Sequence, residues 1–296
     1  MKKNLTARYA LPAILSAAMC AAVMAHATPM APVDGTPSPV QATDDPLSLP
    51  IAGQVMLAGS DAAAQQFQAA LPSALNFVAA NLPEGVNNSV NQALFQIDPA
   101  KIKLATSVDL QAYFVSQGGD YSSTLGFNTT GIGVSSGNPQ IIFPDVASQE
   151  DFNPNPNNVY GARSPGQPLL PGDFVNLGTY SAGTALDFFL IANGANGGTP
   201  VYNSAGAAAN PDGFNHVAAF TTSANSPYLF LAFEDLPNGG DQDYNDDVIA
   251  INVGNANIHS LMATPEPSMY LTLGGFLALG IWAKRRMDRI ETIKQS

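Results

Sequence analysis

Two apolar hexapeptides, "YLFLAF" at 228–233 and "VIAINV" at 248–253, flank an acidic stretch and constrain the fold more than any other feature of the chain. In the first, Leu229, Leu231 and Phe233 fall on one side of an extended strand, and Tyr228, Phe230 and Ala232 on the other. Successive strand side chains point to opposite faces, so a strand that is apolar on both has to be covered on both. Both hexapeptides are therefore predicted as interior strands. "FEDLPNGGDQDYNDD" at 233–247 carries six carboxylates (Glu234, Asp235, Asp241, Asp243, Asp246 and Asp247) and no Lys or Arg. Like charges repel, and pairing the flanking strands brings them closer. The stretch is either a solvated turn or one that encloses positive charge the chain does not encode.

The surrounding sequence reads as strand and turn. "TSVDLQAYFVS", "YSSTLGFNTTG", "PQIIFPD", "DFVNLGTY", "ALDFFLIANG" and "FNHVAAFTT" are each near strand length and are separated by Gly, Asn and Pro. "QGGD", after the first of them, reads as a hairpin break. This pattern over 105–254 predicts a mainly β fold, an antiparallel, jelly-roll-like β-sandwich. The Pro- and Asn-rich stretch 149–172 predicts a long surface loop. Residues 61–104 read as a helical extension. It comprises "DAAAQQFQAAL" and "SALNFVAANL", separated at Pro72, and, after Pro83, "VNNSVNQALFQI" with Val86, Val90, Ala93, Leu94 and Ile97 on one stripe. Residues 28–60, rich in Pro, Thr and Ser, read as a disordered linker, and 255–264 as a second short linker.

Both termini read as export signals. A basic start and an apolar run lead to small residues at Ala25 and Ala27, which predicts a signal peptide over 1–27, removed by signal peptidase. Cys20, the single cysteine, leaves with it, so the remaining chain can form neither a disulfide nor a thiolate metal site. At the other end, Pro265, Glu266 and Pro267 precede an uncharged run at 268–283 and the basic cluster Lys284, Arg285 and Arg286. As a single hydrophobic helix that run spans about 24 Å, short for a ~30 Å hydrocarbon core. Basic residues at both extremes hold both ends on the cytoplasmic side, so membrane contact is expected only through the terminal signals. The chain from 28 to 264 holds three bases, Lys101, Lys103 and Arg163, against 20 acids, a net charge of −17. Such a surface repels nucleic acid and anionic lipid and attracts divalent cations.

The C-terminal order, Pro-Glu-Pro then apolar helix then Arg-rich end over 265–289, resembles the PEP-CTERM sorting tag of Gram-negative bacteria. That resemblance implies recognition by an exosortase, cleavage near the tripeptide, and release to the cell surface or an exopolysaccharide matrix. A second resemblance is carried by Phe233, Glu234, Asp235, Gly239, Gly240, Asp241, Asp243, Tyr244, Asn245 and Asp246, with His216 on an upstream strand. These residues are similar to a secreted bacterial module known as domain of unknown function 4114, which brings no established activity with it. Asp247 departs from that pattern, which has an apolar residue there.

Three readings of the acidic stretch follow. In the first, Asp241, Asp243, Asn245 and Asp246 converge on a cation. Oxygen ligands without His or Cys favour Ca²⁺. The spacing matches the first half of an EF-hand loop, but the sixth position is Asp246 rather than Gly and the twelfth is Asn252 rather than Glu. Glu234 or Asp235 then has to complete the shell from the preceding strand. In the second reading, Glu234 with Asp243 or Asp246 forms the carboxylate pair of a hydrolase acting on extracellular polysaccharide. Against it, Trp282 is the single tryptophan and lies in the tail, leaving no broad aromatic platform for a sugar. The third reading is a solvated acidic hairpin. The cation reading is preferred: a non-enzymatic, Ca²⁺-stabilised module at the cell surface or in the biofilm matrix, with exopolysaccharide as its expected partner. His216, between apolar neighbours, is expected to pack rather than to ligate.

The export reading predicts that mass spectrometry of the secreted fraction finds a chain starting at Thr28 and lacking the "KRRMDR" end. Full-length protein confined to the inner membrane would contradict it.

Overall fold

The computed structural model describes residues 46–88, 97–119, 121–146 and 169–262. The signal peptide, most of the first linker, the greater part of the loop at 149–172, and the sorting segment with its expected helix at 268–283 lie outside the described residues. Within them, no helix is long and apolar enough to cross a membrane.

Among the described residues the chain is mainly β, with two antiparallel sheets and two α-helices. The strands are β1 (Val55–Met56), β2 (Val108–Gln117), β3 (Thr124–Asn128), β4 (Gln140–Phe143), β5 (Phe174–Tyr180), β6 (Asp187–Ile191), β7 (Val201–Asn203), β8 (Val217–Phe220), β9 (Tyr228–Phe233) and β10 (Asp247–Asn252). One sheet has six strands in the order β1-β5-β2-β10-β9-β8, the other four in the order β4-β3-β6-β7. The two hexapeptides supply β9 and β10, which pair with each other inside the larger sheet.

The alternation in "YLFLAF" is divided between two apolar clusters. Leu229, Leu231 and Phe233 join Ile249 and Ile251 of β10, together with Leu125, Phe127, Phe188 and Leu190 of the smaller sheet. Tyr228, Phe230 and Ala232 join Val248 and Ala250 in a second cluster roofed by α1 (Ala62–Asn81). Helix α1 buries Ala64, Phe67, Leu71, Ala74 and Val78, spaced alternately three and four apart along one stripe. Phe67 stacks on Tyr113 at 4.1 Å and meets Tyr228 edge-on at 5.0 Å. Asp61 caps the helix by accepting from Ala64 N at 2.7 Å, and its other oxygen accepts from Gln111 of β2 at 2.9 Å.

Several sequence expectations change here. Pro72 does not divide two helices; it lies inside α1 on the exposed side, where the carbonyl that loses its partner can turn to water. The third helical piece is not seen where it is described. Residues 86–88 have no helix, Val86 is exposed, and Ile97 forms a bridge to Ala219, while 89–96 lie outside the described residues. Of that stripe, the described ends do not share a helical face: Val86 faces solvent and Ile97 pairs with a strand residue. "QGGD" is not a hairpin break, because β2 and β3 belong to different sheets. The end of the first linker is folded, with β1 on β5 and Ile51 bridged to Ile141. The second linker is helical, α2 (Asn255–Met262), and inserts Ile258 and Leu261 into the core between the sheets.

Phe67→Ala, which removes the ring joining α1 to Tyr113 and Tyr228, should cost about 3–5 kcal/mol. The check is a lower denaturant midpoint at unchanged slope; an unchanged midpoint would show that α1 adds no core.

Candidate functional site

The acidic stretch is the connection from β9 to β10, whose first pair is Asp247 opposite Phe233. Its backbone is unusual. Asn238, Gln242 and Tyr244 have φ of 60°, 64° and 59°, a left-handed conformation that side-chain-bearing residues rarely adopt. Each such residue costs on the order of 1 kcal/mol and persists only where the surroundings over-determine it. The left-handed Gln242 and Tyr244 alternate with Asp241, Asp243 and Asn245.

The carboxylates separate into two groups on either side of buried Glu234. The outer group lies beside the chain leaving α1. Glu84, Asp241 and Asp243 each present an oxygen within 4.8 Å of the others, Glu84 and Asp241 exposed and Asp243 buried. Asp243 accepts from Gly85 N at 2.7 Å, from Asn245 N at 3.1 Å and from Asn245 Nδ2 at 3.0 Å. Asn245 Nδ2 also donates to Glu84 at 3.1 Å. Asn245 is 8% exposed, and its Oδ1 is buried without a hydrogen-bond partner. Asn88 N donates to the carbonyl of Gln242 at 2.7 Å, so the segment after α1 is laced to the turn. Burial raises the pKa of Asp243, and the charges of Asp241 and Glu84 add to the effect, while the bonds from Gly85 and Asn245 oppose it.

The inner group faces the smaller sheet. Asp246 accepts from Asp235 N at 2.8 Å, and Asp235 accepts from the hydroxyl of Ser123, the residue before β3, at 3.2 Å. Asp247 is fully buried, and neither of its oxygens has a partner. The glycine pair after β2 permits this crowding. A Cβ on Gly118 would collide with Asn245 Oδ1, and one on Gly119 would lie 2.8 Å from Asp246 Oδ1 and 3.2 Å from Asp235 Oδ2.

Glu234 lies beneath the turn. One of its oxygens accepts from Tyr244 N at 2.7 Å, and the other is buried without a partner. Burial, reinforced by Asp246, Asp243 and Asp241, pushes its pKa up to about 8 against the relief given by Tyr244 N. Burial and then the charge of Asp235 raise Asp246 in the same way. The backbone of Glu234 is fixed by His216, whose Nδ1 lies 2.8 Å from the Glu234 carbonyl. His216 is buried, stacked on Tyr202 at 3.6 Å, with Nε2 2.9 Å from Asp212. Asp212 also accepts from Asn238 N at 2.7 Å. Burial works against the charge of Asp212, but the bonds from Asn238 and His216 outweigh it and hold its pKa below the usual range. His216 therefore organises the turn.

The structure thus brings Asp241, Asp243 and Asn245 together and places Asp235 and Asp246 apart from them, toward the smaller sheet. Sequence reasoning did not single out Glu84, Gly85 or Asn88, which reach the turn across more than 150 residues. An isolated "PEG" after a helix carries no local signal of that approach. Asp247, the departure from the motif, is as fully buried as Glu234.

Residues 180–254, one quarter of the chain, match the family described as Domain of unknown function (DUF4114). No curated protein and no solved structure matches the chain. The matched stretch contains β6 to β10, His216 and the whole acidic turn, and it excludes Glu84 and Gly118.

The raised Glu234 fixes the sign of a pH dependence. Its protonation stabilises the metal-free fold fully below about pH 4.5, the unfolded value, and that contribution is lost as pH rises through about 8. In chelator, the melting temperature should fall between about pH 5 and about pH 8, and Glu234→Gln should flatten the fall. A melting temperature that climbs toward pH 8 would refute this.

Proposed function

We propose that the protein is an exported, non-enzymatic module whose jelly-roll-like β-sandwich is stabilised by Ca²⁺ held at the β9–β10 turn. The single observation that carries this is the outer group. Three carboxylates, Glu84, Asp241 and Asp243, have oxygens within 4.8 Å of one another, and among the described residues no basic side chain forms an ion pair with them. Ca²⁺ takes oxygen ligands at about 2.3–2.6 Å, so two ligands of one ion lie at most about 5 Å apart. The spacing suits that ion, and an all-oxygen set of carboxylates suits a hard cation. Glu84, Asp241 and Asp243 are the ligands in this reading, Asn245 donates its amide N–H groups to Glu84 and Asp243, and Glu234 supports the turn from below. An ion there clips the end of α1 to the two central strands.

The sandwich reading is supported by the shared core of the two sheets and by four connections, β2–β3, β4–β5, β5–β6 and β7–β8, that pass from one sheet to the other. Export, sorting by an exosortase and placement at the cell surface or in an exopolysaccharide matrix rest on the terminal segments and the strongly acidic composition. Glycoside hydrolysis fits the site less well. Glu234 and Asp243 are 0% and 1% exposed, so neither carboxyl offers a surface to a polysaccharide.

Binding to the folded state alone adds about 2.7 kcal/mol at 100 times the dissociation constant. Millimolar Ca²⁺ should therefore raise the melting temperature of the full-length chain, and chelator should reverse the rise. Glu84→Gln combined with Asp241→Asn should shrink the rise, whereas Asp109→Asn, an exposed residue at the far end of β2, should not. Identical melting in Ca²⁺ and in chelator, with no heat of binding, would show that no ion is held.

A further inference from the structure

His216 raises a question that no bound ion enters, because each nitrogen of its buried ring faces an oxygen. Nδ1 lies 2.8 Å from the carbonyl oxygen of Glu234, and Nε2 lies 2.9 Å from Oδ2 of Asp212. A carbonyl oxygen accepts and cannot donate. Asp212 is committed to accepting as well. Its Oδ2 also takes the N–H of Asn238 at 2.7 Å, and its Oδ1 takes the N–H of Phe214 at 3.1 Å. Burial opposes a charge on Asp212, but the bonds from Asn238, His216 and Phe214 outweigh it and keep the group ionised.

A neutral imidazole has one N–H and one lone pair. Whichever nitrogen were bare would point its lone pair at an acceptor less than 3 Å away. The imidazolium donates from both nitrogens and satisfies both contacts at once. Burial works the other way, since leaving water disfavours a charged ring. Losing the proton would relieve that penalty, but it would leave one of the two oxygens without its donor. The ring is also held where both contacts are enforced. It stacks on Tyr202 of β7 at 3.6 Å and meets Phe214 edge-on at 5.3 Å. Its backbone carbonyl accepts from Glu234 N at 3.0 Å, which ties the residue to the end of β9. The titratable groups around it are Asp212 on its own segment, Glu234 at the end of β9 and Tyr202 on β7. Asp235 and Tyr121 act electrostatically on Tyr202, and Tyr244 of the turn donates its hydroxyl to the carbonyl of Asn215 at 2.8 Å. Each of these is an acid, neutral or negative, so none repels a charge on the ring.

We infer that His216 is held as an imidazolium and that its second proton latches the acidic turn to both sheets, through the Glu234 carbonyl to β9, through Tyr202 to β7, and through Asp212 to Asn238 of the turn. The latch is closed on the acid side. It opens as pH rises, when one ring nitrogen goes bare and either the Glu234 carbonyl or Asp212 loses its donor. Its release reaches the turn at Asn238, one of the residues with left-handed backbone. This inference does not depend on the cation site.

The test uses the full-length chain in chelator, with isotope-labelled histidine and amides followed by nuclear magnetic resonance. The chain holds three histidines, and His216→Gln identifies the ring signals. At about pH 7 both ring nitrogens of His216 should carry hydrogens, and raising the pH should bare one of them. The backbone amides of Asn238 and Gly239 should shift over the same steps. Glu234→Gln should leave that joint titration in place, which separates it from protonation of Glu234. Asp212→Asn keeps the ring but removes the carboxylate, and it should bare one ring nitrogen at a pH where the wild type holds both. The signals it moves identify His216 if His216→Gln fails to fold. A wild-type ring with one bare nitrogen at about pH 7 overturns the imidazolium. A ring that loses its proton with no response at Asn238 and Gly239 overturns the latch.

Discussion

Mutual repulsion and desolvation of carboxylates at the β9–β10 turn is the constraint that the rest of the structure answers. Moving a charged carboxylate out of water costs several kcal/mol even after relaxation, and this turn buries Glu234, Asp235, Asp243 and Asp247 to 2% exposure or less. Part of the cost is met by backbone N–H groups. Tyr244, Gly85, Asn245 and Asp235 each donate to a carboxylate of the turn. The remainder is visible as raised pKa values and as oxygens without partners. A turn in this condition is stable when protons or cations supply what the chain does not.

The scaffold around the turn is built to hold it in place. Strands β9 and β10 are apolar on both faces and are clamped between the smaller sheet and α1, so their ends cannot drift apart to relieve the repulsion. His216, itself pinned between Tyr202 and Asp212, fixes the carbonyl of Glu234. The left-handed residues Gln242 and Tyr244 persist because Asn88 N holds the first carbonyl and Glu234 the second amide. Strain and charge are thus concentrated where packing and hydrogen bonds from several elements hold the backbone.

Much of this was legible in the residues themselves. Period-two alternation with two apolar faces identified β9 and β10 as interior strands, because no other arrangement buries six consecutive apolar side chains in so short a run. The density of acids singled out the turn. Short elements escaped: β1, with two residues, and β7, with three, lack the length for a periodic signal and exist because a neighbouring strand offers an open edge. Pro72 misled for a related reason. Its local rule says helix break, yet the buried stripe on either side of it is continuous, and packing against the sheet outweighed one lost backbone bond.

What the sequence determined by itself was local: strand periodicity, the helical stripe of α1 and the charge of the turn. Only the tertiary structure decided which acids share a space. Glu84 meets Asp241 and Asp243, and Asn88 meets the carbonyl of Asp243, across more than 150 residues of chain. Asp247 turns toward the acids between the sheets because β10 alternates and the smaller sheet closes over that face. The physical reason is range. Alternation and helix propensity act within a few residues, whereas Coulomb interaction and burial depend on distances that exist only after both sheets and α1 have packed.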